Sequence, residues 1–281
     1  MTLTRVSILG VTLLAAACGR SNPAASGATA SPSPTATLTG TPTPSPTATP
    51  AIVDADGDGL DDAAEMQAAR DYLPFVSQDP ADACPLGGML VRVRPHPDDP
   101  SRLHILYDHL YQNDCGLLGH VGDDEVFAIT ADPTKSGPAG ILAIRAISHQ
   151  GTVCERDTEC GSLPGMTACA TQLVNGVAVP VVFASRDKHG AYADKNVCDT
   201  QSCFDTCTAG GPATPFALTN AGEPSAPLTD DLTDHGFVTA ANGWTEASLM
   251  HFDPWSGANF GLAGNVASDL ADPAFLTPVA P

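Results

Sequence analysis

Five carboxylates are regularly spaced in twelve residues that begin at Asp54. With Asp54 as position 1, acids fall at positions 1, 3, 5, 9 and 12, and Gly59 falls at position 6. Calcium takes about six to eight oxygen ligands, and alternate side chains of a tightly curved loop converge on one point. The residue at position 7 would add its backbone carbonyl. The predicted calcium ligands are Asp54, Asp56, Asp58, Leu60, Asp62 and Glu65.

This stretch resembles an EF-hand loop, and also the single Asp-x-Asp-x-Asp-Gly-Leu repeats of thrombospondin type 3 and dockerin-like modules. The incoming helix of an EF-hand is missing, because a Pro/Thr-rich segment precedes the loop, and no second copy follows. A lone loop of this kind binds Ca²⁺ with a dissociation constant on the order of 10⁻⁴ to 10⁻³ M. That affinity favours a structural hinge over a sensor. The alternative is an acidic, solvated linker.

A second group of polar residues precedes a predicted strand. His120, Asp123 and Glu125 lie within six residues, and Asp114 lies just upstream. Side chains two apart on a strand share a face, so Asp123 and Glu125 would point the same way. One imidazole and three carboxylates suit a divalent cation, Mg²⁺ or Ca²⁺. A third group, with Arg186, Lys188 and His189 as candidate ligand-binding residues, follows an apolar run that ends at Ala184.

The second and third groups together resemble the Vps62-related family. They resemble more distantly the necrosis-inducing NPP1-like proteins, whose motif is Gly-His-Arg-His-Asp-Trp-Glu. Gly119, His120, Asp123 and Glu125 match that motif, and Asp114 matches the aspartate before it. The resemblance implies a β-sandwich with a divalent cation in an acidic cavity. It spans positions 107–192 and departs from the motif twice: a glycine, Gly122, replaces the second histidine, and an aspartate replaces the tryptophan. Toxicity is therefore not carried over.

Plainer interpretations of the same residues stay open. A histidine and three acids near a turn can be a solvated loop, and His189 can be a structural hydrogen-bonding residue. Arg186 and Lys188 would neutralise the acidic group if the two loops meet. The sequence contains no Gly-x-Ser-x-Gly, His-Glu-x-x-His or phosphate-loop motif. Asp123 and Glu125 could form an acid/base pair, but spacing does not give their separation.

The first residues predict export. Residues 1–17 combine one positive charge with a short apolar run, and Leu14-Ala15-Ala16-Ala17-Cys18 resembles the lipobox of bacterial lipoproteins. Cys18 would then carry the lipid anchor; the alternative is an ordinary secretory signal. Residues 18–50 are rich in Ser, Thr and Pro and predict a disordered tether. Residues 51–72 would form the calcium loop and a helix over Ala63–Tyr72 with Asp62 as its cap, and 73–281 one domain.

Eight cysteines remain after the anchor, an even number that predicts disulfides in an exported chain. They allow 105 pairings, and two local clusters, 154–169 and 198–207, predict stapled loops. No Cys-x-x-Cys occurs, which disfavours zinc. The disulfide candidates are Cys84, Cys115, Cys154, Cys160, Cys169, Cys198, Cys203 and Cys207.

Apolar, β-branched runs punctuated by turn residues predict strands at 89–94, 103–107, 125–130, 141–147 and 177–184. From about residue 209 onward, Gly, Pro, Asn and Asp dominate and predict long ordered loops with a few strands. The predicted class is therefore mainly β, a β-sandwich with long disulfide-stapled loops and one short helix after the calcium loop.

Charge limits the range of functions. Twelve Lys+Arg against 32 Asp+Glu give a net charge of −20, which excludes nucleic acid as a partner. The predicted membrane contact is the lipid anchor alone. The residues favour a non-enzymatic, lipid-anchored protein of the bacterial cell envelope, on its periplasmic or surface face, that binds an extracellular or envelope ligand. The alternatives are a metal-dependent hydrolase of an envelope or extracellular polymer, and a purely structural surface protein.

Overall fold

The computed structural model describes residues 52–85, 87–200, 203–211, 217–226, 240, 244, 252–256 and 265–279. The predicted signal segment, Cys18 and the tether lie outside them. Within the described ranges, no helix is both long and apolar enough to cross a membrane.

The first element is helix α1, Asp62–Asp71, which follows the acidic loop directly. Asp61 caps it by accepting hydrogen bonds from the backbone N–H groups of Ala63 and Ala64. The helix therefore begins one residue earlier than predicted, and Asp61, not Asp62, is the cap. A carboxylate at this position satisfies amide groups that the first turn leaves unpaired. Asp62 is thereby free to point into the loop.

A six-stranded sheet forms the centre of the domain. Its strands are β2 (Gly87–His96), β3 (Asp99–Asn113), β4 (Val121–Ala131), β5 (Ile141–Ser148), β6 (Arg156–Gly161) and β10 (Leu218–Asn220). Their order is β10-β2-β3-β4-β5-β6, with antiparallel pairs except for β10, which runs parallel to β2. The buried positions of β3 and β4 carry many β-branched, aromatic and Leu side chains, which favour strands, and they also include the polar residues His104, Asp108, His109 and Asp123.

A smaller sheet packs on this one. It contains β1 (Phe75–Ser77), β7 (Thr171–Val174), β8 (Val177–Ala184) and β9 (Ala191–Tyr192), and β8 pairs with the other three. The remaining described elements are two short α-helices, α2 (Lys195–Thr200) and α3 (Val266–Ala271), and two 3-10 helices, Gly137–Gly140 and Pro273–Phe275. The prediction of a mainly β sandwich with disulfide-stapled loops and a short helix after the acidic loop is confirmed.

The two faces of the large sheet are buried differently. On the inner face, Val91, Tyr107 and Phe127 pack against Val182 of the smaller sheet. On the outer face, a second apolar cluster joins side chains of the sheet to described residues of the C-terminal region. Its members include Leu90, Leu106, Leu110, Val126, Ile147, Trp244, Phe252, Val266, Leu270 and Phe275. Because both faces are buried, charged side chains in the middle of β3 or β4 lie in apolar surroundings.

All eight predicted cysteines form disulfides: Cys84–Cys115, Cys154–Cys203, Cys160–Cys169 and Cys198–Cys207. Two are local staples of nine residues, as the clusters predict. The Cys154–Cys203 bond joins the two clusters to each other. The Cys84–Cys115 bond ties the chain before β2 to the loop between β3 and β4. That loop carries Asp114 and His120.

Candidate functional site

The acidic loop before α1 is curved inward. Gly57 and Gly59 have φ values of 77° and 96°, a left-handed conformation that glycine adopts without strain. Two sets of carboxylates each place one oxygen per residue within 4.8 Å of the others. The first set is Asp54, Asp56 and Asp58, and the second is Asp56, Asp62 and Glu65. Five of the predicted calcium ligands are thus brought together by their side chains.

Several oxygens in this loop have no hydrogen-bond donor. They are Asp56 Oδ2, Asp58 Oδ2 and Glu65 Oε1. Glu65 is only 1% exposed, and this burial raises the pKa of its carboxyl to about 8. Burial, followed by the nearby Asp58, raises the pKa of Asp56 to about 6. Orphaned oxygens on converging acids are what a hard cation would satisfy, so the residues present fit Ca²⁺.

The second group of residues lies at a notch in the large sheet. β5 pairs with β4 only over Phe127–Ala131, so among the described strands residues 121–126 have β3 as their one ladder partner. A cavity of about 400 Å³ opens beside this free edge. The four predicted cation ligands, Asp114, His120, Asp123 and Glu125, all line it. They are joined there by Asp124, His149, Lys188 and Asp269.

Strand β4 presents carboxylates to both of its faces. Asp123 is opposite Tyr111 and Glu125 is opposite His109 in the ladder with β3, which puts both acids on the inner face. The prediction that these two acids share a face is confirmed. Asp124 points to the outer face. The free edge lets acids of both faces reach one cavity.

His189 neutralises the acids on the inner face. Its side chain is 0% exposed, stacks on Tyr111 with ring centroids 3.7 Å apart, and lies between two carboxylates. Nδ1 is 2.9 Å from Asp123 Oδ2, and Nε2 is 3.3 Å from Asp82 Oδ2. Burial alone would lower the pKa of His189, but the two carboxylates outweigh it and raise the pKa to about 9. The imidazole is therefore a buried cation at neutral pH.

The four predicted cation ligands share a cavity without forming a coordination shell. His120 Nε2 is 3.9 Å from Asp114 Oδ2, Asp123 is bound to His189, and Glu125 accepts a hydrogen bond from the backbone of Ala191. Among the described residues, no three of the four have ligand atoms within 4.8 Å of one another. A different group, Asp82, Cys84 and His189, meets that distance, but the sulfur of Cys84 is in a disulfide.

The two site loops do meet. The backbone N–H of Cys115 donates to the carbonyl of Asp187 at 2.7 Å. Lys188 lies over Gly116, lines the cavity and donates from Nζ to the carbonyl of Cys203. Arg186 does not line the cavity, and its Nε is 3.7 Å from Asp187 Oδ2. His189 is buried and does not line the cavity either. Of the three candidate residues in this segment, Lys188 is the one that faces the cavity.

Sequence reasoning missed several residues of this region, among them Asp108, His149 and Asp269. Asp108 is an acid within a buried strand, and that conflict is visible in the sequence. His149 lines the cavity with Nε2 2.6 Å from the buried Asp205. Asp269 comes from a helix far along the chain, and no local spacing connects it to β4.

No protein-family model and no curated protein matches the chain. Similar solved structures exist at low identity. One, titled "Toxin fold for microbial attack and plant defense", has 15% identity and a TM-score of 0.32, covering 60% of this chain and 82% of its own.

Two further structures are of NLPPya in complex with glucosamine and with mannosamine. They have 14% and 13% identity, each with a TM-score of 0.27, and they cover 54% and 66% of this chain and 90% and 97% of their own. Matches with TM-scores this low carry no argument about this chain. Its fold and its site are therefore described from its own sheets and side chains.

Proposed function

We propose that this chain is an exported, non-enzymatic ligand-binding protein of the bacterial envelope, lipid-anchored through Cys18. Its acidic cleft would bind the ligand with the help of a divalent cation, and Ca²⁺ in the loop before α1 would stabilise the domain. The observation that carries the binding function is the 400 Å³ cavity that Asp114, His120, Asp123 and Glu125 line together.

The chemistry of the cleft limits what it would hold. Its lining includes five carboxylates and one lysine, so it favours a cation or a ligand with a positively charged amino group. A cation held by part of this oxygen-rich set keeps coordination positions for ligand hydroxyls. An amino sugar has both groups, which makes glucosamine a suitable first probe, with glucose as the uncharged control.

Binding is favoured over the two alternatives for specific reasons. A metal-dependent hydrolase needs its ligands converged on one ion with an open position. Here Asp123 is held by His189 and Glu125 by a backbone N–H, so no such centre is preformed among the described residues. A purely structural role does not need an acidic cavity beside the loops that carry Asp114 and Lys188.

Calorimetric titration of the purified protein with Ca²⁺ and Mg²⁺ tests this proposal. We expect heat from two separable classes of site: the Asp54→Asn/Asp58→Asn variant would lose the loop site, and the Asp114→Asn/His120→Ala variant the cleft site. Asp71→Asn, an exposed acid at the end of α1, is the matched control. Titration with glucosamine should then give heat only when the cleft is intact. Identical titrations for all variants would refute the proposal.

A further inference from the structure

His149 lies where strand β5 ends beside the cavity. β5 ends at Ser148, so His149 is the first residue of the loop that leads to β6. Its φ is 53°, a left-handed conformation that few residues other than glycine adopt. Backbone strain of this kind persists only where the surrounding structure fixes it, and it is concentrated at functional sites.

Two sets of contacts fix the loop that carries His149. Thr152 donates to the carbonyl of His149 twice, from its backbone N–H at 3.1 Å and from its hydroxyl at 2.7 Å. The Cys154–Cys203 disulfide then ties the loop to the segment that contains Asp205. The disulfide therefore holds His149 and Asp205 close together, although they are 56 positions apart in sequence.

His149 and Asp205 form a hydrogen-bonded pair. Nε2 of His149 is 2.6 Å from Oδ2 of Asp205, whose side chain is 0% exposed. Tyr192, itself buried, donates its hydroxyl to the same carboxylate oxygen. An ionised carboxylate only accepts hydrogen bonds, so the histidine is the donor and carries a proton on Nε2.

The other ring nitrogen of His149 is available to a ligand. A neutral imidazole has a proton on one nitrogen alone, so Nδ1 is an acceptor. Nδ1 bonds to none of the described residues, yet it is not a buried atom. The side chain is 16% exposed, and it lines the cavity. A ring fixed from behind by Asp205 thus offers one acceptor of defined direction beside the carboxylates of the cleft.

We propose that His149 contacts the ligand of the cleft, with Nδ1 accepting a hydrogen bond from a hydroxyl or ammonium group, and that Asp205 is its positioning residue. This contact rests on the proposed function, because it belongs to the same cavity as Asp114 and His120. It defines the ligand further. The carboxylates attract positive charge from any direction, whereas Nδ1 selects a ligand with a hydrogen-bond donor at one place.

A second histidine of this chain shows what a purely structural role looks like. His189 has a carboxylate beside each ring nitrogen, and it is fully buried and does not line this cavity. His149 has a carboxylate beside one ring nitrogen only, and it lines the cavity. His189 is therefore placed to neutralise buried acids, and His149 is placed to meet a ligand.

Nuclear magnetic resonance of the full-length protein measures where the proton of His149 lies. In ¹⁵N-labelled protein at pH 8, long-range ¹H–¹⁵N correlations distinguish the two neutral tautomers from each other and from the protonated ring. The signal that disappears in His149→Gln identifies the residue. We expect the Nε2–H tautomer, and we expect its Nδ1 signal to move when glucosamine is added. Wild-type protein with a proton on Nδ1 would overturn the proposal.

The same spectra test the role of Asp205. Asp205→Asn should shift His149 toward a mixture of the two tautomers, because a neutral amide holds the N–H less strongly than a carboxylate does. It should also weaken the binding of glucosamine. A side chain that served only to stabilise the fold would change neither. Unchanged tautomer and unchanged binding in folded Asp205→Asn would overturn the positioning role.

Calorimetric titration with glucosamine measures the ligand contact. His149→Gln keeps a side-chain N–H that can reach Asp205, but it has no acceptor where Nδ1 lies. We expect it to bind glucosamine about tenfold or more weakly, the range for a hydrogen bond to a charged group. Val153→Ala is the matched control, since Val153 is in the same loop, is 95% exposed and does not line the cavity. Far-UV circular dichroism confirms that each variant is folded.

The outcomes separate this inference from the proposed function. Binding in wild type with equal affinity in His149→Gln would overturn the inference and leave the proposed function intact. An equal loss in Val153→Ala would also overturn it, by assigning the effect to the loop and not to His149. No heat from wild type, together with no movement of the His149 signal, would refute both.

Discussion

Asn220 donates its side-chain amide to Glu65 Oε2 at 2.7 Å, in a fully buried contact between residues 155 positions apart. Glu65 is the twelfth residue of the acidic loop, and Asn220 ends strand β10 on the edge of the large sheet. This hydrogen bond orients the last predicted calcium ligand from outside the loop. The loop is therefore built into the sheet and is not a free linker.

Replacing Asn220 with alanine should weaken both the fold and the loop's affinity for Ca²⁺. In metal-free protein, a buried oxygen left without its donor costs about 1–3 kcal/mol of unfolding free energy. Loss of a partner that orients a metal ligand typically lowers affinity by about 10–100-fold. Urea denaturation and calcium titration measure the two effects. Asn196→Ala, at an exposed asparagine on α2, is the control. Equal stability and equal Ca²⁺ affinity in the two variants would contradict this prediction.

His189→Asn should destabilise the protein strongly. The substitution removes a buried cation from between Asp82 and Asp123 and leaves two carboxylates facing each other. Breaking a buried ion pair from one side costs about 3–5 kcal/mol. The measurement is the free energy of unfolding in urea at pH 7. Lys188→Met is the comparison, because it removes the neighbouring charge at the cavity surface. It should lower the free energy of unfolding far less. An equally large loss in Lys188→Met would show that the effect belongs to the whole segment and not to His189.

Much of the sheet could be predicted from sequence, for physical reasons. All five predicted strands are present, because each contains a run of apolar side chains that is buried between the two sheets or against the C-terminal region. The strands β1, β6, β7 and β9 were missed, and β10 lies in the region predicted to form long loops with a few strands. Arg156–Gly161 is mostly polar and lies at a sheet edge, where one exposed side weakens the alternating pattern, and Thr171–Val174 is too short to show a period.

The candidate site could be predicted only where it is local in sequence. Asp123 and Glu125 are two apart on one strand, so their shared face follows from strand geometry. The partnership of Asp123 with His189 depends on which strand β8 approaches, and the nearness of Asp124 to Asp269 depends on a helix 145 positions later. Neither of these two contacts can be predicted from the spacing of residues along the chain. The Cys84–Cys115 and Cys154–Cys203 pairings likewise join residues far apart in sequence, and spacing does not give them.

Acid should destabilise this protein partly through His104. Burial, and then the nearby Arg94, lower the pKa of His104 from 6.5 to about 3. Below pH 6.5 the unfolded chain takes up a proton that the folded chain refuses, so this residue's contribution to stability falls as the pH drops from 6.5 toward 3. Between pH 7 and pH 4.5, wild type should lose about 2–3 kcal/mol more than His104→Gln. Urea denaturation at both pH values measures this; parallel losses would contradict it.

Cys18→Ala should release the protein from membranes. If the thiol carries the lipid, the variant has no acyl chain to insert and no basic side-chain patch to replace it, given the net charge of −20. Membrane fractionation of cells that express each form, together with labelling by a radioactive fatty acid, measures the change. Cys84→Ala is the control, since the sulfur of Cys84 is held in the disulfide with Cys115 and is not a free thiol, and that variant should keep both the label and the membrane fraction. An unlabelled wild type would argue for an ordinary secretory signal.

Removing the Cys84–Cys115 disulfide should weaken binding at the cleft by more than the loss of protein stability alone explains. The bond closes 31 residues, and the chain-entropy model assigns about 4 kcal/mol to a loop of that length. It also fixes the segment that holds Asp114 and His120 against the Lys188 loop. The double variant Cys84→Ala/Cys115→Ala should therefore lose cation and ligand binding at the cleft at temperatures where it is still folded.

The matched variant is Cys160→Ala/Cys169→Ala, which opens a nine-residue staple at the distant edge of the sheet. It should cost about 2–3 kcal/mol by the same model and leave the cleft unchanged. Circular dichroism gives the folded fraction of each variant. Calorimetry at 15 °C below each variant's own Tm gives binding, where the free energy of unfolding is roughly 4–7 kcal/mol for a domain of this size. Equal binding in both variants would mean that the strands alone position Asp114 and His120, and that the disulfide only stabilises the fold.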